Sequence, residues 1–120
     1  MGTPISRFIV CGSRTWTNKE AIRDALLLIP IGAVLVHGAC PKGADFIADK
    51  VWKEMGGKVE AHPADWNTHG TAGGPIRNTK MAKLGADLCL AFRSRGKSNG
   101  TDDMIKKARA EGILVKVIEP

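Results

Sequence analysis

Basic residues occur with or shortly after glycine at four places in the sequence. The four groups are Gly12-Ser13-Arg14, Gly38 with Lys42-Gly43-Ala44-Asp45, Arg77-Asn78, and Arg93 with Ser98-Asn99-Gly100-Thr101. Glycine allows an anion to approach the backbone closely, and the first N–H groups of a helix carry a partial positive charge. Residues of these types at the starts of helices predict a site for phosphate or a similar anion.

The stretch from residue 93 to residue 104, RSRGKSNGTDDM, shows this combination most clearly. It follows an apolar run, contains three cations and two glycines, and leads into a segment with helical spacing. Neither the Walker A pattern GxxxxGK[ST] nor the dinucleotide pattern GxGxxG is present. The stretch therefore predicts a phosphate-binding turn between a strand and a helix, in which Ser98, Gly100 and Thr101 contact the anion and Arg93, Arg95 or Lys97 adds charge.

Short apolar runs and helical spacing define the elements that must position these groups. Five apolar runs rich in β-branched residues predict strands over residues 7–12, 33–38, 58–63, 87–92 and 113–118. Four segments with helical spacing lie between them. The clearest covers residues 43–56, where apolar residues recur every three or four positions and form one face.

Strict alternation of nearly continuous apolar strands with helices favours a parallel sheet. We predict the α/β class, as a single Rossmann-like doubly wound domain over residues 1–120 with a five-stranded, mainly parallel sheet and helices on both faces. In such sheets ligands bind outside the carboxyl ends of the strands, where the chain reverses direction across the sheet. The four groups are expected to meet at this edge. The long connection over residues 63–74 adds Asp65 and Trp66 to the candidate residues.

Charge and cysteine content limit the partners and cofactors. The formal net charge of +6 and the isoelectric point near 9.5 favour anionic partners. No apolar stretch approaches the roughly 20 residues of a membrane span, and the first residues lack the pattern of a signal peptide, so we expect a cytoplasmic protein without membrane partners. The three cysteines lack CxxC spacing and the three histidines lack ligand spacing, so we predict no metal site and no cofactor.

Six segments carry a resemblance to a known family. They are GSRTW, VHGACPKGAD, PADW, GGPIRNTKM, DLCLAF and SNGTDDMIKKA, in this order. In combination they resemble the SLOG superfamily, which unites the LOG nucleotide phosphoribohydrolases with the Smf/DprA proteins, and the best match is the small YspA/YpsA-related branch. The resemblance covers nearly the whole chain. It implies a Rossmann-like fold with a nucleotide-derived ligand between the loops after the first and fourth strands.

The two sides of the superfamily imply different activities. LOG enzymes carry a pattern similar to PGGxGTxxE, in which the Glu assists cleavage of the bond between base and ribose. Gly100-Thr101 and Arg77 match it, but Met104 occupies the Glu position, and methionine cannot act as an acid or a base. The candidate catalytic residues of an enzyme would then be Arg77 and Asp103. The Smf/DprA proteins bind single-stranded DNA, and their RN helix start and SGS-like turn are similar to residues 77–78 and 98–100.

Three functions stay open from the sequence. The leading one is the binding of a nucleotide or nucleotide-derived small molecule by a sensor, sequestering or processing module. The second is a LOG-type nucleotide N-glycosidase whose carboxylate would be Asp45, Asp65, Asp102 or Asp103. The third is binding of single-stranded DNA, with Trp16 and Trp66 as candidate base-stacking residues. The apolar stretch ALLLIPIGAVLV is expected in the core, and a homodimer interface is its alternative role.

Overall fold

A computed structural model of the protein describes residues 5–120. The strands are β1 (Arg7–Gly12), β2 (Val34–His37), β3 (Lys58–Ala61), β4 (Leu88–Phe92) and β5 (Leu114–Ile118). The helices are α1 (Lys19–Leu26), α2 (Ala44–Glu54), a short α3 (Trp66–His69), α4 (Gly73–Leu84) and α5 (Asn99–Ala110). Each predicted strand is present, with bounds that differ by one or two residues at most.

The five strands form one parallel sheet in the order β3-β2-β1-β4-β5. The chain moves outward from β1 through β2 to β3 and then returns to the other side of β1 with β4. The reversal of direction therefore lies between β1 and β4, whose carboxyl ends form the crevice that binds ligands in this type of sheet. The predicted α/β class and Rossmann-like doubly wound arrangement are confirmed.

One face of the sheet packs against α1 and α2. Phe8, Leu35 and Phe92 from the strands contact apolar residues of both helices in one buried cluster. Trp52 of α2 lies edge-on to Phe8, with ring centroids 5.2 Å apart, and its indole N–H donates to the Ala33 carbonyl at 3.3 Å. Each such aromatic or aliphatic side chain contributes about 1.5–3 kcal/mol when fully buried.

The opposite face packs against α4 and α5. Strand residues Ile9, Val36 and Ala91 alternate with those of the first cluster and contact Met81 of α4 and Ile105 of α5. This alternation explains why the strands are nearly continuously apolar, since both of their faces are covered. The helices leave the carboxyl edge of the sheet uncovered, and the functional candidates lie there.

Two local features differ from the sequence expectations. The capping-box pattern of Thr17 with Glu20 predicts a helix N-terminus at Thr17, but α1 begins after Asn18, whose side chain accepts the Ala21 N–H at 3.1 Å and forms the N-cap. The connection over residues 63–74 is not fully irregular, because α3 and a 3₁₀ turn over residues 70–72 lie within it. A four-residue helix is too short to give a periodic apolar pattern, which is why the sequence did not indicate it.

The described part of the chain contains neither a membrane-spanning helix nor a cluster of metal-binding side chains. Within residues 5–120, none of the helices has the length and apolar character that crossing a bilayer would require. The same residues contain no group of three or more His, Cys, Asp and Glu side chains placed to hold a metal ion.

Candidate functional site

A cleft opens at the carboxyl edge of the sheet, between the loops that follow β1 and β4. Its volume is about 330 Å³, at the small end of the range for ligand sites. The β1–α1 loop, the start of α2, one side of α4 and the first turns of α5 form its walls. It is lined by Val10, Cys11, Gly12, Ser13, Arg14, Thr15, Gly38, Cys40, Asp45, Arg77, Asn78, Met81, Lys97, Ser98, Asn99, Gly100, Thr101 and Met104.

Most residues singled out in the sequence line this cleft. They are Gly12, Ser13, Arg14, Gly38, Asp45, Arg77, Asn78, Ser98, Gly100 and Thr101. They come from four separate parts of the chain, which meet because all the parallel strands end at one edge. The other predicted residues are not in its lining: Lys42, Gly43, Asp65, Trp66, Arg93 and Asp103.

The first turn of α5 presents backbone donors to the cleft. The Asp102 N–H is the first to bond within the helix, donating to the Ser98 carbonyl at 2.8 Å. The N–H groups of Asn99, Gly100 and Thr101 precede it and have no helical carbonyl within reach. The Ser98 side chain does not cap them. The start of α5 therefore keeps both its donors and its partial positive charge for a ligand.

Three hydroxyl groups lie at the same end of the cleft. Ser13 Oγ and Ser98 Oγ are 2.7 Å apart, and Ser13 Oγ also accepts the Ser94 N–H at 2.9 Å. The serine pair has two hydroxyl hydrogens and its mutual bond uses one, so one remains for a ligand. Thr101 is 5% exposed, and its hydroxyl has no hydrogen-bond partner within residues 5–120. We use the name anion subsite for these hydroxyls and the N–H groups of Asn99, Gly100 and Thr101.

Gly43 fixes the β1–α1 loop against the start of α2. Its φ of +78° and ψ of −149° define a conformation that is essentially restricted to glycine. A Cβ at this position would collide with the Ser13 carbonyl oxygen and would lie 2.6 Å from Arg14 Cα. The Ser13 carbonyl also accepts the N–H groups of Trp16 and Ala44 at 3.2 Å each. Gly43 therefore affects the site indirectly, because it allows the β1–α1 loop to pack closely against the start of α2.

Arg77 connects three parts of the chain beside the cleft. Its Nη1 donates to the carbonyls of Gly38 and His62, and its Nε donates to Asn78 Oδ1 at 2.9 Å. A Cβ at Gly38 would lie 2.6 Å from the guanidinium carbon, so the contact requires glycine. Burial lowers the pKa of Arg77, the charge of Asp45 opposes that change, and the guanidinium stays protonated. Its Nη2 has no acceptor within residues 5–120 and is free to bind a ligand.

Asp45 is the one carboxylate in the described part of the chain that lines the cleft. It is 7% exposed, and its Oδ2 accepts the Cys40 N–H at 3.4 Å. Burial raises the pKa of Asp45, and the nearby charges of His37 and Arg77 and hydrogen bonds from the backbone of Cys40 and Gly38 offset this rise only in part. A buried carboxyl with a perturbed pKa in a cleft is typical of functional sites.

Replacement of Asp45 by asparagine should stabilise the protein at neutral pH. Because its pKa is higher in the folded state than in the unfolded state, the carboxyl destabilises the fold increasingly as the pH rises through the folded-state value. Asp45→Asn should raise the free energy of unfolding at pH 7 by about 1 kcal/mol, as expected for removal of a poorly satisfied buried charge. The gain should shrink as the pH falls towards about 4. Urea unfolding at pH 7, 5.5 and 4 measures it.

Asp49, one turn further along α2, is the matched control. Partial burial acts to raise its pKa, but hydrogen bonds with Lys53 at 2.9 Å and His37 at 2.6 Å lower the pKa overall. Asp49→Asn should therefore reduce stability at pH 7, and this loss should diminish only at pH values below about 4. If both substitutions change the free energy of unfolding at pH 7 in the same direction, the pKa values of the two carboxyls are not shifted in opposite directions.

Arg93 and Lys42 are not among the residues that line the cleft. Arg93 Nε donates to Asp102 Oδ1 at 2.7 Å, and Nη2 donates to Asp102 Oδ2 and to the Gly96 carbonyl. This pair braces the β4–α5 turn from outside. Lys42 is exposed and has no salt bridge within residues 5–120. Neither cation therefore contributes a contact to the cleft wall.

Asp103 faces α4 and not the cleft. Its Oδ2 accepts Asn78 Nδ2 at 3.0 Å and pairs with Lys107 Nζ at 2.9 Å, one helical turn away. Asn78 also donates to the Gly100 carbonyl at 3.3 Å. Asp103 and Asn78 therefore join α4 to the first turn of α5 and hold the anion subsite in place.

Asp65 and Trp66 are the N-cap and the first residue of α3, outside the cleft. The Asp65 side chain accepts the Thr68 N–H at 3.0 Å and caps the short helix, and hydrogen bonds with the side chain and the backbone of Thr68 lower the pKa of Asp65. Trp66 is 48% exposed and packs against the glycines that begin α4, where a Cβ on Gly74 would lie 3.0 Å from its ring. Gly74 is in turn one turn before Arg77, so Trp66 is near the rim of the cleft.

The prediction that Trp16 is a base-stacking residue is wrong. Trp16 is 2% exposed and packs edge-on against Phe92, with ring centroids 5.5 Å apart. Its indole N–H donates to the Asn18 carbonyl at 2.9 Å. The side chain belongs to the core and cannot contact a base.

Cys11, Cys40 and Met81 line the cleft but were not singled out as site residues in the sequence. Cys11 Sγ lies 3.9 Å from Cys89 Sγ, and this contact together with burial raises the pKa of Cys11. Its thiol is therefore protonated and contributes an apolar surface. Position in the sequence could have indicated that the two cysteines line the cleft, because Cys11 and Cys40 are within two residues of predicted site glycines.

Comparison with known proteins identifies the family. The model YAcAr, which describes the YspA, cpYpsA-related SLOG family, matches residues 6–69, slightly more than half of the chain. This segment contains strands β1 to β3 and includes Ser13 and Asp45. Gene 61 protein of Mycobacterium phage D29 is 42% identical over 118 residues, with 91% of this chain and 93% of that protein covered. The chain belongs to the YspA, cpYpsA-related SLOG family.

Proposed function

We propose that the cleft binds a nucleotide or a nucleotide-derived small molecule, with a phosphate group in the anion subsite. The observation that carries this proposal is a set of donors at one end of the cleft that have no acceptor among residues 5–120: the spare hydrogen of the Ser13–Ser98 pair, the Thr101 hydroxyl and the first N–H groups of α5. Phosphate oxygens accept several such bonds at once. Family membership supports nucleotide-related binding or processing.

Two exposed cations add charge at the same end. Arg14 and Lys97 both line the cleft, and neither forms a salt bridge within residues 5–120. Their charge and the start of α5 favour a ligand that is strongly anionic, as a phosphate monoester is at neutral pH. The net charge of +6 also increases the rate at which anionic ligands approach.

The size of the cleft favours a nucleotide over inorganic phosphate. Its volume of about 330 Å³ leaves room beside a single phosphate group. Val10, Met81 and Met104 line its base but are at most 2% exposed, so they offer little apolar surface to a ligand. A ligand with a phosphate and a further polar part therefore uses more of the cleft than phosphate alone.

Removal of the Thr101 hydroxyl should weaken phosphate binding without unfolding the protein. Thr101→Val preserves the shape of a buried residue and deletes a donor that has no protein partner. A hydrogen bond to a charged group is worth about 1.5–3 kcal/mol, so we expect nucleotide affinity to fall by at least about tenfold. Calorimetric titration with the nucleoside monophosphates measures the change.

Thr79→Val is the control for this substitution. Thr79 is on α4, outside the cleft, and its hydroxyl donates to the Pro75 carbonyl at 3.0 Å. The affinity of this variant should equal that of the wild type. If Thr101→Val and Thr79→Val bind nucleotides equally well, the phosphate does not occupy the anion subsite, and if the wild type binds none of them the proposed function is wrong.

The position of Asp45 supports a second function, the hydrolysis of a nucleotide N-glycosidic bond. This reaction breaks the bond from the sugar to the base and needs a carboxyl group near the sugar, and Asp45 is the carboxylate in the cleft lining. Asp103, the carboxylate favoured from the sequence, is bonded to Asn78 and Lys107 instead. Chromatography of a nucleotide after incubation distinguishes the two functions, because free base that appears with wild type and not with Asp45→Asn requires hydrolysis.

A further inference from the structure

His37 ends β2 and forms hydrogen bonds through both nitrogens of its ring. The residue is 4% exposed and does not line the cleft. Its Nδ1 accepts the Ala39 N–H at 2.9 Å, and its Nε2 lies 2.6 Å from Asp49 Oδ2. Because a backbone N–H can only donate, Nδ1 carries no hydrogen, and the Nε2–H donates to the Asp49 carboxylate. Asp49 therefore orients the ring so that its acceptor nitrogen faces the turn that follows β2.

The turn after β2 contains a backbone conformation that its residue type does not favour. Ala39 has a φ of +57°, and within residues 5–120 it is the one residue other than glycine with a positive φ. A left-handed conformation is unfavourable for a residue with a Cβ and persists only where neighbouring interactions hold it. The bond from the Ala39 N–H to the His37 ring is such an interaction, and it spans two residues as the side-chain bond of an Asx turn does.

The same turn holds two charged side chains of the cleft wall. The Gly38 carbonyl accepts a hydrogen bond from Arg77 Nη1. The Cys40 N–H donates to Asp45 Oδ2 at 3.4 Å, and the backbone of Gly38 also donates to this carboxyl group. Arg77 and Asp45 both line the cleft. A change in the conformation of the turn would therefore displace the guanidinium and the carboxyl group relative to the anion subsite.

We propose that His37, oriented by Asp49, is a positioning residue of the ligand site. Its Nδ1 keeps the turn over residues 38–40 in the conformation that places Arg77 and Asp45 for the ligand. This inference rests on the proposed nucleotide function and adds to it two residues that do not touch the ligand. Filling of the core does not explain the imidazole, because an apolar side chain fills a buried space without two nitrogens that need hydrogen bonds. Binding sites depend on such supporting bonds, since displacements of about 0.5 Å already impair the contacts with a ligand.

Two substitutions of His37 separate its bond to the turn from its bond to Asp49. The side-chain oxygen of asparagine can accept an N–H two residues further along the chain, so His37→Asn keeps the bond to Ala39 and loses the bond to Asp49. His37→Leu loses both bonds. Val51→Ala is the control, because it creates a cavity at a fully buried position of α2 that does not line the cleft.

The three variants and the wild type are compared in two measurements. The 5′-monophosphates of adenosine, guanosine, cytidine and uridine are titrated into each protein by calorimetry, after urea unfolding has verified that the protein is folded. Hydrogen exchange of the Ala39 and Cys40 amides is measured without ligand. The exchange rates report directly on the turn and do not depend on nucleotide binding.

We expect His37→Leu to bind the preferred monophosphate at least about tenfold more weakly than the wild type, and His37→Asn to bind it within about threefold. Val51→Ala should bind it as the wild type does. The two amides should exchange at least about tenfold faster in His37→Leu than in His37→Asn or Val51→Ala.

Wild-type affinity in His37→Leu overturns the inference, and so does an equal loss of affinity in His37→Leu and His37→Asn. If the wild type binds none of the monophosphates, the proposed nucleotide function is wrong, and the exchange rates then decide the role of His37. Faster exchange in His37→Leu alone supports its control of the turn, and equal exchange in the three variants overturns it.

Discussion

Gly43→Ala should lower the free energy of unfolding by about 3 kcal/mol or more and abolish ligand binding at the cleft. The backbone conformation of Gly43 costs other residues about 1–3 kcal/mol. Forced contact with the Ser13 carbonyl and the Arg14 backbone adds a cost of about 1–3 kcal/mol. These neighbours are backbone atoms of the loop that carries Ser13, so relief of the collision would displace the anion subsite. Urea unfolding and nucleotide titration test both consequences.

Gly56→Ala separates backbone strain from collision. Gly56 follows α2 with a φ of +94°, and a Cβ there would have no neighbour within 4 Å. The substitution should cost only the conformational penalty, about 1–2 kcal/mol, and ligand affinity should not change. Equal losses of stability in the two variants would mean that the contact between Gly43 and the β1–α1 loop is not tight.

Arg77→Lys should reduce both stability and ligand affinity although the charge is kept. A lysine carries its three N–H donors on one nitrogen, whereas Arg77 reaches Asn78 from Nε and the carbonyls of Gly38 and His62 from Nη1, so at least one acceptor loses its bond. An unsatisfied buried acceptor costs about 1–3 kcal/mol. We expect a loss of about 2 kcal/mol in unfolding free energy and at least about tenfold in nucleotide affinity.

Arg14→Lys is the companion variant. Arg14 lines the same cleft, but it is exposed and has no hydrogen-bond partner within residues 5–120. Its replacement should leave the unfolding free energy within about 0.5 kcal/mol of the wild type and should change affinity only modestly. If Arg77→Lys proves as stable as Arg14→Lys, the three bonds of Arg77 do not hold the loops together.

The strands were the most predictable part of the fold. Each is a short apolar run between polar or glycine residues, and a strand covered on both faces must have this composition. Helix α2 was equally clear, since its buried residues recur with helical spacing. The strand order was not encoded in any local pattern, because it depends on which side of β1 the chain places β4. The general rule for doubly wound sheets supplied the location of the cleft.

The side-chain contacts of the site were less predictable than its location. Arg93, Arg77 and Arg14 all follow glycine or strand ends in the sequence. In the structure, however, Arg93 pairs with Asp102 outside the cleft. Arg77 uses its Nη1 to donate to backbone carbonyls of the protein. Asp103 was favoured from the sequence as the catalytic carboxylate, yet Asp45 lines the cleft and Asp103 does not. Which carboxylate enters the cleft depends on helix phase and on distant partners, and a single sequence contains neither.

The backbone hydrogen bonds of Ser13 also affect the rate at which a ligand binds. Its N–H donates to the Phe92 carbonyl at 3.0 Å, and its carbonyl accepts two further N–H groups, so the β1–α1 loop is tied to β4 and α2 by the protein itself. A ligand need not order this loop when it binds and avoids that entropic cost. The time course of ligand binding should therefore be a single exponential. Its observed rate constant should rise linearly with ligand concentration, without the plateau that a slow conformational step would impose.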